Sequence, residues 1–124
     1  MADLASAAAR LKEAALTYPE TREDHPWGHD VIKVKDKAFL FLSDWQEGLG
    51  ATVKLPHSFE FALEYPFVKP AGYGLGRARW VDCRFEKGED VPVDVLLRWL
   101  DESFRAVAPK RLVKALGAAA QGPA

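Results

Sequence analysis

The sequence predicts an α+β domain: an antiparallel sheet with N- and C-terminal helices packed on one face. Three observations carry this. The first sixteen residues show apolar spacing of three and four, the middle of the chain alternates with period two, and the stretch from Val93 to Val107 is strongly amphipathic.

The elements follow in order. Leu4, Ala8, Leu11, Ala15 and Tyr18 mark one face of a first helix, which Pro19 stops. "PETREDHPWGHD" is polar and broken by Pro26 and Gly28, so it reads as a connecting loop. In "VIKVKDKAFLFL", Ile32 and Val34 alternate with Lys33 and Lys35. Asp36 and Lys37 then make a tight turn into a second strand, 38–42. That second strand is apolar on both faces, which requires cover on each side or a partner. "ATVKL" is a third strand. Ser58 suits the cap of a short helix from Phe59 to about Glu64, since a serine hydroxyl can accept from an orphan amide. "RWVDCRFEKG" alternates Val81, Cys83 and Phe85 with Trp80, Asp82 and Arg84, making a fourth strand. In "VPVDVLLRWLDESFRAVAP", Val95, Leu96, Trp99, Leu100, Phe104 and Val107 form an apolar stripe, and Asp94 with Arg98 and Asp101 with Arg105 are solvated pairs. A shorter helix follows Pro109 and closes at Gly117, giving one domain over 1–117 and a flexible tail over 118–124.

Composition bounds the function. A length of 124 residues suits a single core, and a formal charge of -1 with a pI near 6.3 is not that of a domain coated in cations, so any polyanion site must be local. Cys83 is the only cysteine, which fits a reducing interior. With no apolar stretch of spanning length and no secretory h-region, the expectation is a cytoplasmic protein without a membrane partner.

Each candidate site has a competing structural explanation. Gly72, Gly74 and Gly76 lead into a strand, whereas a phosphate loop leads into a helix whose amides hold the phosphate, so these glycines read as backbone punctuation. His25 and His29 are four apart, but Pro26 and Gly28 deny them a helix. Convergence with His57, Asp24 or Asp30 would need the fold, and no metal or cofactor is assigned. Cys83 sits among apolar neighbours as an inert thiol, and Ser103 lies on a helical apolar face where a hydroxyl bonds the carbonyl four residues back. No catalytic set emerges, so the chain is read as non-enzymatic.

The coherent signal comes from the strands. If Ile32, Val34, Val53, Leu55, Val81 and Phe85 face the core, then Lys33, Lys35, Lys54, Arg84 and Trp80 share the other side, with Arg77 and Arg79 just before it. Residues 31–87 hold nine Lys or Arg against seven Asp or Glu, and the remainder eight against eleven, so the excess positive charge lies in the strands. Cations for phosphates and a ring for bases suit nucleic acid. The expected interface is Lys33, Lys35, Lys54, Arg77, Arg79, Trp80 and Arg84, with DNA as partner. Two alternatives stand beside it: a protein-binding or oligomerising module using the apolar strand 38–42 and the loop tryptophans Trp27 and Trp45, and a small-ligand protein or enzyme at the loops 25–29 and 72–79.

As an ordered set, "YPETREDHPWG", the hairpin with Lys37 and Phe39, "VKLP", Trp80-Val81 and "LDESFRAVAPKRL" resemble the MmcQ/YjbR-like family of small bacterial cytoplasmic proteins over Leu11 to Leu112. The resemblance implies an α+β fold described as CyaY-like or double-wing. Members are labelled DNA-binding because that fold resembles the DNA-binding domain of a phage transcription factor, an argument from fold alone. Phe104 stands where the family commonly has tyrosine, so no hydroxyl role is carried over. The iron binding of the CyaY relative is not carried over either, because the first helix here has Glu13 as its only interior acid.

Overall fold

The computed structural model describes residues 3–25, 30–45, 48–72 and 74–120. In chain order it has α1 (Leu4–Leu16), β1 (Thr21–Asp24), β2 (Asp30–Val34), β3 (Lys37–Trp45), β4 (Gly48–Lys54), α2 (Phe59–Ala62), β5 (Val68–Pro70), a 3-10 helix (Leu75–Ala78), β6 (Trp80–Glu86), α3 (Val93–Val107) and α4 (Lys110–Ala120). The strands form one antiparallel sheet of six, in the order β1-β2-β3-β4-β6-β5. The α+β class, with helices from both ends of the chain on the sheet, is therefore as expected.

Periodicity explains the layers. Asp3 caps α1 by accepting from the Ser6 amide at 2.8 Å, and the helix buries Ala7, Leu11 and Ala15 at intervals of four. α3 buries Leu96, Trp99, Leu100, Ser103 and Phe104 against β3 and β4. The sheet answers with Ile32, Val34, Leu40, Leu42, Leu49, Ala51, Val53, Val81, Cys83 and Phe85, all buried. Each large apolar side chain removed from water is worth roughly 1.5–3 kcal/mol, far more than a surface ion pair, so these residues fix the fold. Tyr18 closes the seam between α1 and α3. Its ring stacks on Phe104 at 4.5 Å and its hydroxyl donates to Asp101 at 2.8 Å.

Several local expectations are corrected. The polar segment after Pro19 is not a connecting loop throughout: Thr21–Asp24 pairs with β2 as an edge strand. The hairpin turn falls one residue early, at Lys35 and Asp36, whose φ values of 50° and 69° are the left-handed pair that a two-residue hairpin turn demands. Ser58 makes no side-chain cap. Its hydroxyl donates instead to Glu102 at 2.7 Å, and the amides of His57 and Ser58 donate to the same carboxylate. α4 continues through Gly117 to Ala120.

β3 is the instructive strand. Its register against β2 slips between Ile32 and Lys33, because Phe39 is an extra residue between Leu40, opposite Ile32, and Ala38, opposite Lys33. A bulge of this kind turns two consecutive side chains to one side, so Leu40 and Phe39 both enter the core. The β3–β4 ladder runs only from Trp45↔Gly48 to Phe41↔Thr52, and beyond it Ser103 fills the opening from α3. The Ser103 hydroxyl donates to the Phe39 carbonyl at 2.6 Å and accepts from the Lys54 amide at 2.9 Å. The expectation that it bonds its own helix is thus overturned by two strand groups the bulge leaves unpaired. The bulge also accounts for the doubly apolar run: Phe39, Leu40 and Leu42 are core, and Phe41, on the far side, meets Trp80 edge-on at 5.7 Å. Strand 38–42 lies between β2 and β4, so both of its edges are taken up within the sheet and only its Phe41 face is left partly exposed.

Both margins of the sheet are unsuited to a further strand. β1 is charged at Arg22, Glu23 and Asp24, β5 ends in Pro70, and beyond β5 the Glu86 amide donates to the Glu89 carboxylate at 2.6 Å. Among the described residues, no helix is long and apolar enough to cross a membrane.

Candidate nucleic-acid interface

Strand parity and register decide which side chains share the face turned away from α1 and α3. On β1 and β2 these are Arg22, Asp24, Val31 and Lys33, with Arg22 opposite Lys33. On β3 they are Ala38, Phe41 and Ser43, and Ala38 is opposite Lys33. On β4 and β6 they are Thr52, Lys54, Trp80, Asp82, Arg84 and Glu86, with Lys54 opposite Trp80. Lys69 of β5 lies opposite Asp82. Lys33, Lys54, Trp80 and Arg84 therefore do share one face, as alternation requires.

Lys35 does not share it. In the turn its ammonium pairs with Glu20 at 2.7 Å, and Glu20 also pairs with Arg111 of α4 at 2.8 Å. Arg111 first, then Lys35, hold the Glu20 carboxyl down to about 2. Arg77 is exposed on the 3-10 helix. Arg79, in the left-handed region at φ 68°, ends that helix, pairs with Glu60 at 2.7 Å and lies over the Phe59 ring at 5.4 Å. The glycine segment is punctuation in the structure too: Gly74 has φ 79°, and a Cβ at Gly76 would meet Pro70 at 3.1 Å. It delivers the chain into β6 through a 3-10 helix whose N-cap is Gly74.

Charge on the face is graded along the strands. At the end near the β2–β3 turn, Arg22 stands opposite Lys33, and Lys54 stands opposite Trp80. Toward the other end, Arg84 is flanked on its own face by Asp82 and Glu86. There a groove of about 1400 Å³ has Lys69, Arg84 and Lys87 in its lining together with Asp82, Glu86, Glu89 and Asp90, so acids outnumber cations. Two of the face cations are held by exposed acids, Arg22 by Asp36 at 2.6 Å and Lys33 by Asp24 at 3.2 Å. Lys33 draws the Asp24 carboxyl below its ordinary value. Thr52 and Asp82 meet at 2.5 Å in mid-face.

Among the described residues, His25 and His57 do not form one site. His25 lies just after β1, where its ring nitrogens approach Asp30 at 2.7 Å and Glu23 at 3.2 Å. These three residues present ligand atoms within 4.8 Å of one another, but the Lys12 ammonium is 2.8 Å from both carboxylates and already offsets one of their two charges. Lys12 is the largest influence holding Asp30 below its usual range. His57 belongs to the Glu102 cluster on α3. His29 and Trp27 fall outside the described residues, as does the side chain of Trp45. β2, β3 and β4 separate the end of β1 from the 3-10 helix before β6, so His25 and Arg77 line no common cleft. The Cys83 thiol is pushed up to about 12, chiefly by burial and then by Asp82, which makes it a poor nucleophile.

Sequence reasoning missed Arg22 and Phe41 as members of the face. Arg22 sits in a strand with no apolar residue to announce it, and Phe41 lies in a run that is apolar on both faces and whose alternation the bulge at Phe39 interrupts.

Two comparisons bear on lineage. No curated protein matches the chain. A family model described as YjbR matches residues 16–106, from the last residue of α1 to within α3. That span takes in the entire sheet, both aromatic partners of Tyr18 and the Ser103 bridge, and it is well over half of the molecule: the chain belongs to the YjbR family.

Proposed function

We propose that the chain is a non-enzymatic module that binds nucleic acid, DNA included, through the sheet face turned away from α1 and α3. One observation carries the reading. Arg22, Lys33 and Lys54 share one sheet face with Trp80, Arg22 standing opposite Lys33 and Lys54 opposite the indole, in a protein whose overall charge is -1. Cations on a shared face meet phosphates, and an aromatic on that face offers a surface to a base. The nucleophile candidates support a binding role, since Cys83 is buried and protonated and the Ser103 hydroxyl is committed to two backbone groups.

Fluorescence anisotropy of a labelled 20-nucleotide DNA, titrated at several salt concentrations from 20 mM upward, tests this. Three neutralised phosphates give a slope of log affinity on log salt of about -2 for a single strand and about -2.7 for a duplex. Each of Arg22→Gln, Lys33→Gln and Lys54→Gln should weaken binding and flatten that slope by about 0.7 to 0.9. No binding at 20 mM salt, or binding indifferent to all three changes, rejects the proposal.

A further inference from the structure

We infer that this face takes a single strand laid across the β-strands, along Arg22, Lys33, Lys54 and Trp80, in preference to a duplex; the inference rests on the nucleic-acid reading above. Shape is the first argument. A B-form major groove is about 12 Å wide and admits a helix or a two-stranded ribbon. From β1 to β6 the face crosses four strand spacings, about 19 Å, which is too broad to enter that groove. Against a duplex it could touch only outer phosphates, whereas a single strand needs just a line of cations and a ring.

The second argument is the make-up of the row. Arg22 stands opposite Lys33, and Lys33 opposite Ala38, whose methyl keeps the middle of the path low before Lys54. Lys54 stands opposite Trp80. The indole packs edge-on against Phe41 at 5.7 Å and 67°, and both rings remain only partly buried. The Phe41 contact restricts the indole before any ligand arrives, so stacking a base there loses little side-chain freedom.

Charge supplies the third argument. Asp82 in mid-face and Glu86 at the far end of β6 occupy the same face, so a polyanion is repelled along β6 beyond Trp80. The ion pairs Arg22–Asp36 and Lys33–Asp24 are exposed, at 2.6 Å and 3.2 Å, and exchanging such surface pairs for phosphate contacts is energetically mild.

The test measures anisotropy of labelled (dT)20 and of a labelled 20-base-pair duplex at 20 and 100 mM NaCl. The single strand is expected to bind at least tenfold more tightly. Trp80→Ala should lower its affinity roughly 5- to 100-fold, the worth of one base–aromatic stack, with little effect on the duplex. Because Trp80 is partly buried, Trp80→Leu is measured beside it, and each variant is first shown to unfold cooperatively in urea. The Lys33→Gln/Lys54→Gln pair, which leaves the core untouched, should weaken (dT)20 binding, and Lys87→Gln at the acidic end should not. Duplex binding as tight as single-strand binding, or equal loss from Lys87→Gln, overturns the inference and leaves the broader reading standing. Absence of binding to both probes at 20 mM overturns both.

Discussion

Replacing Ser103 with alanine removes one oxygen and exposes how the sheet is held open. Ser103 is fully buried, and its hydroxyl is the partner of two backbone groups, the Phe39 carbonyl at 2.6 Å and the Lys54 amide at 2.9 Å. The bulge has carried those groups out of the ladder, so neither finds a substitute without moving β3 or β4. A buried polar group left unsatisfied costs about 1–3 kcal/mol. Phe39 is fully buried and Lys54 only partly, which places Ser103→Ala at roughly 2–4 kcal/mol. With a urea dependence of about 1.5 kcal/mol/M, the unfolding midpoint falls by about 1.3 to 2.7 M. Ser103→Thr, which keeps the hydroxyl, should lose less. Native-state hydrogen exchange adds a local readout: the Lys54 amide should exchange faster, relative to global unfolding, in the alanine variant. Had the hydroxyl served only its own helix, Ser103→Ala would be nearly neutral, since such back-bonding lends a helix little. A change within about 0.5 kcal/mol, together with an unaltered Lys54 amide, would refute the bridge.

Three further outcomes follow from charge and burial. The Glu20 carboxyl is lowered from 4.5 to about 2, so its contribution to stability is present above pH 4.5 and disappears as pH falls toward 2; the gap between wild type and Glu20→Gln in urea midpoint should close over that window, and a gap that stays constant contradicts the Arg111 and Lys35 pairing. The Cys83 thiol is raised from 9.0 to about 12, so the folded state keeps its proton while the unfolded state loses it; stability should decline as pH rises from 9 toward 12, less steeply in Cys83→Ala, and at pH 8 a thiol reagent should label the native protein only as fast as it unfolds. Lys12→Met withdraws the cation shared by Glu23 and Asp30; a loss of roughly 1 kcal/mol and an upward move of the Asp30 carboxyl in a carbon-detected NMR titration are expected, and an unmoved Asp30 would show that Lys12 is incidental.

The elements legible in the sequence were those whose apolar residues have a period. α3 was readable from its stripe, and β4 and β6 from Val53, Val81, Cys83 and Phe85, so the shared side of Lys54, Trp80 and Arg84 could be deduced before any coordinates. β1 could not. "TRED" has no apolar residue, and its pairing with β2 exists because the chain returns alongside, not because its own composition asks for it. β5 is three residues long and ends in proline, below the length at which alternation can be seen. The turn at Lys35 and Asp36 lacks the glycine or asparagine that usually announces left-handed geometry, and misplacing it by one residue put Lys35 on a strand face it does not occupy. The roles of Ser58 and Ser103 depend on partners 44, 49 and 64 residues distant, which local reasoning about hydroxyls has no means to find.

The proline closing β5, the carboxylate seated on the Glu86 amide and the charged outer strand have a joint consequence for crowding. Rim-to-rim pairing of copies at high concentration is discouraged, because one border is interrupted by Pro70 and by the occupied Glu86 amide and the other is a short strand lined with charge. The same two borders would let two such units be fused in tandem with little tendency to add strand to strand.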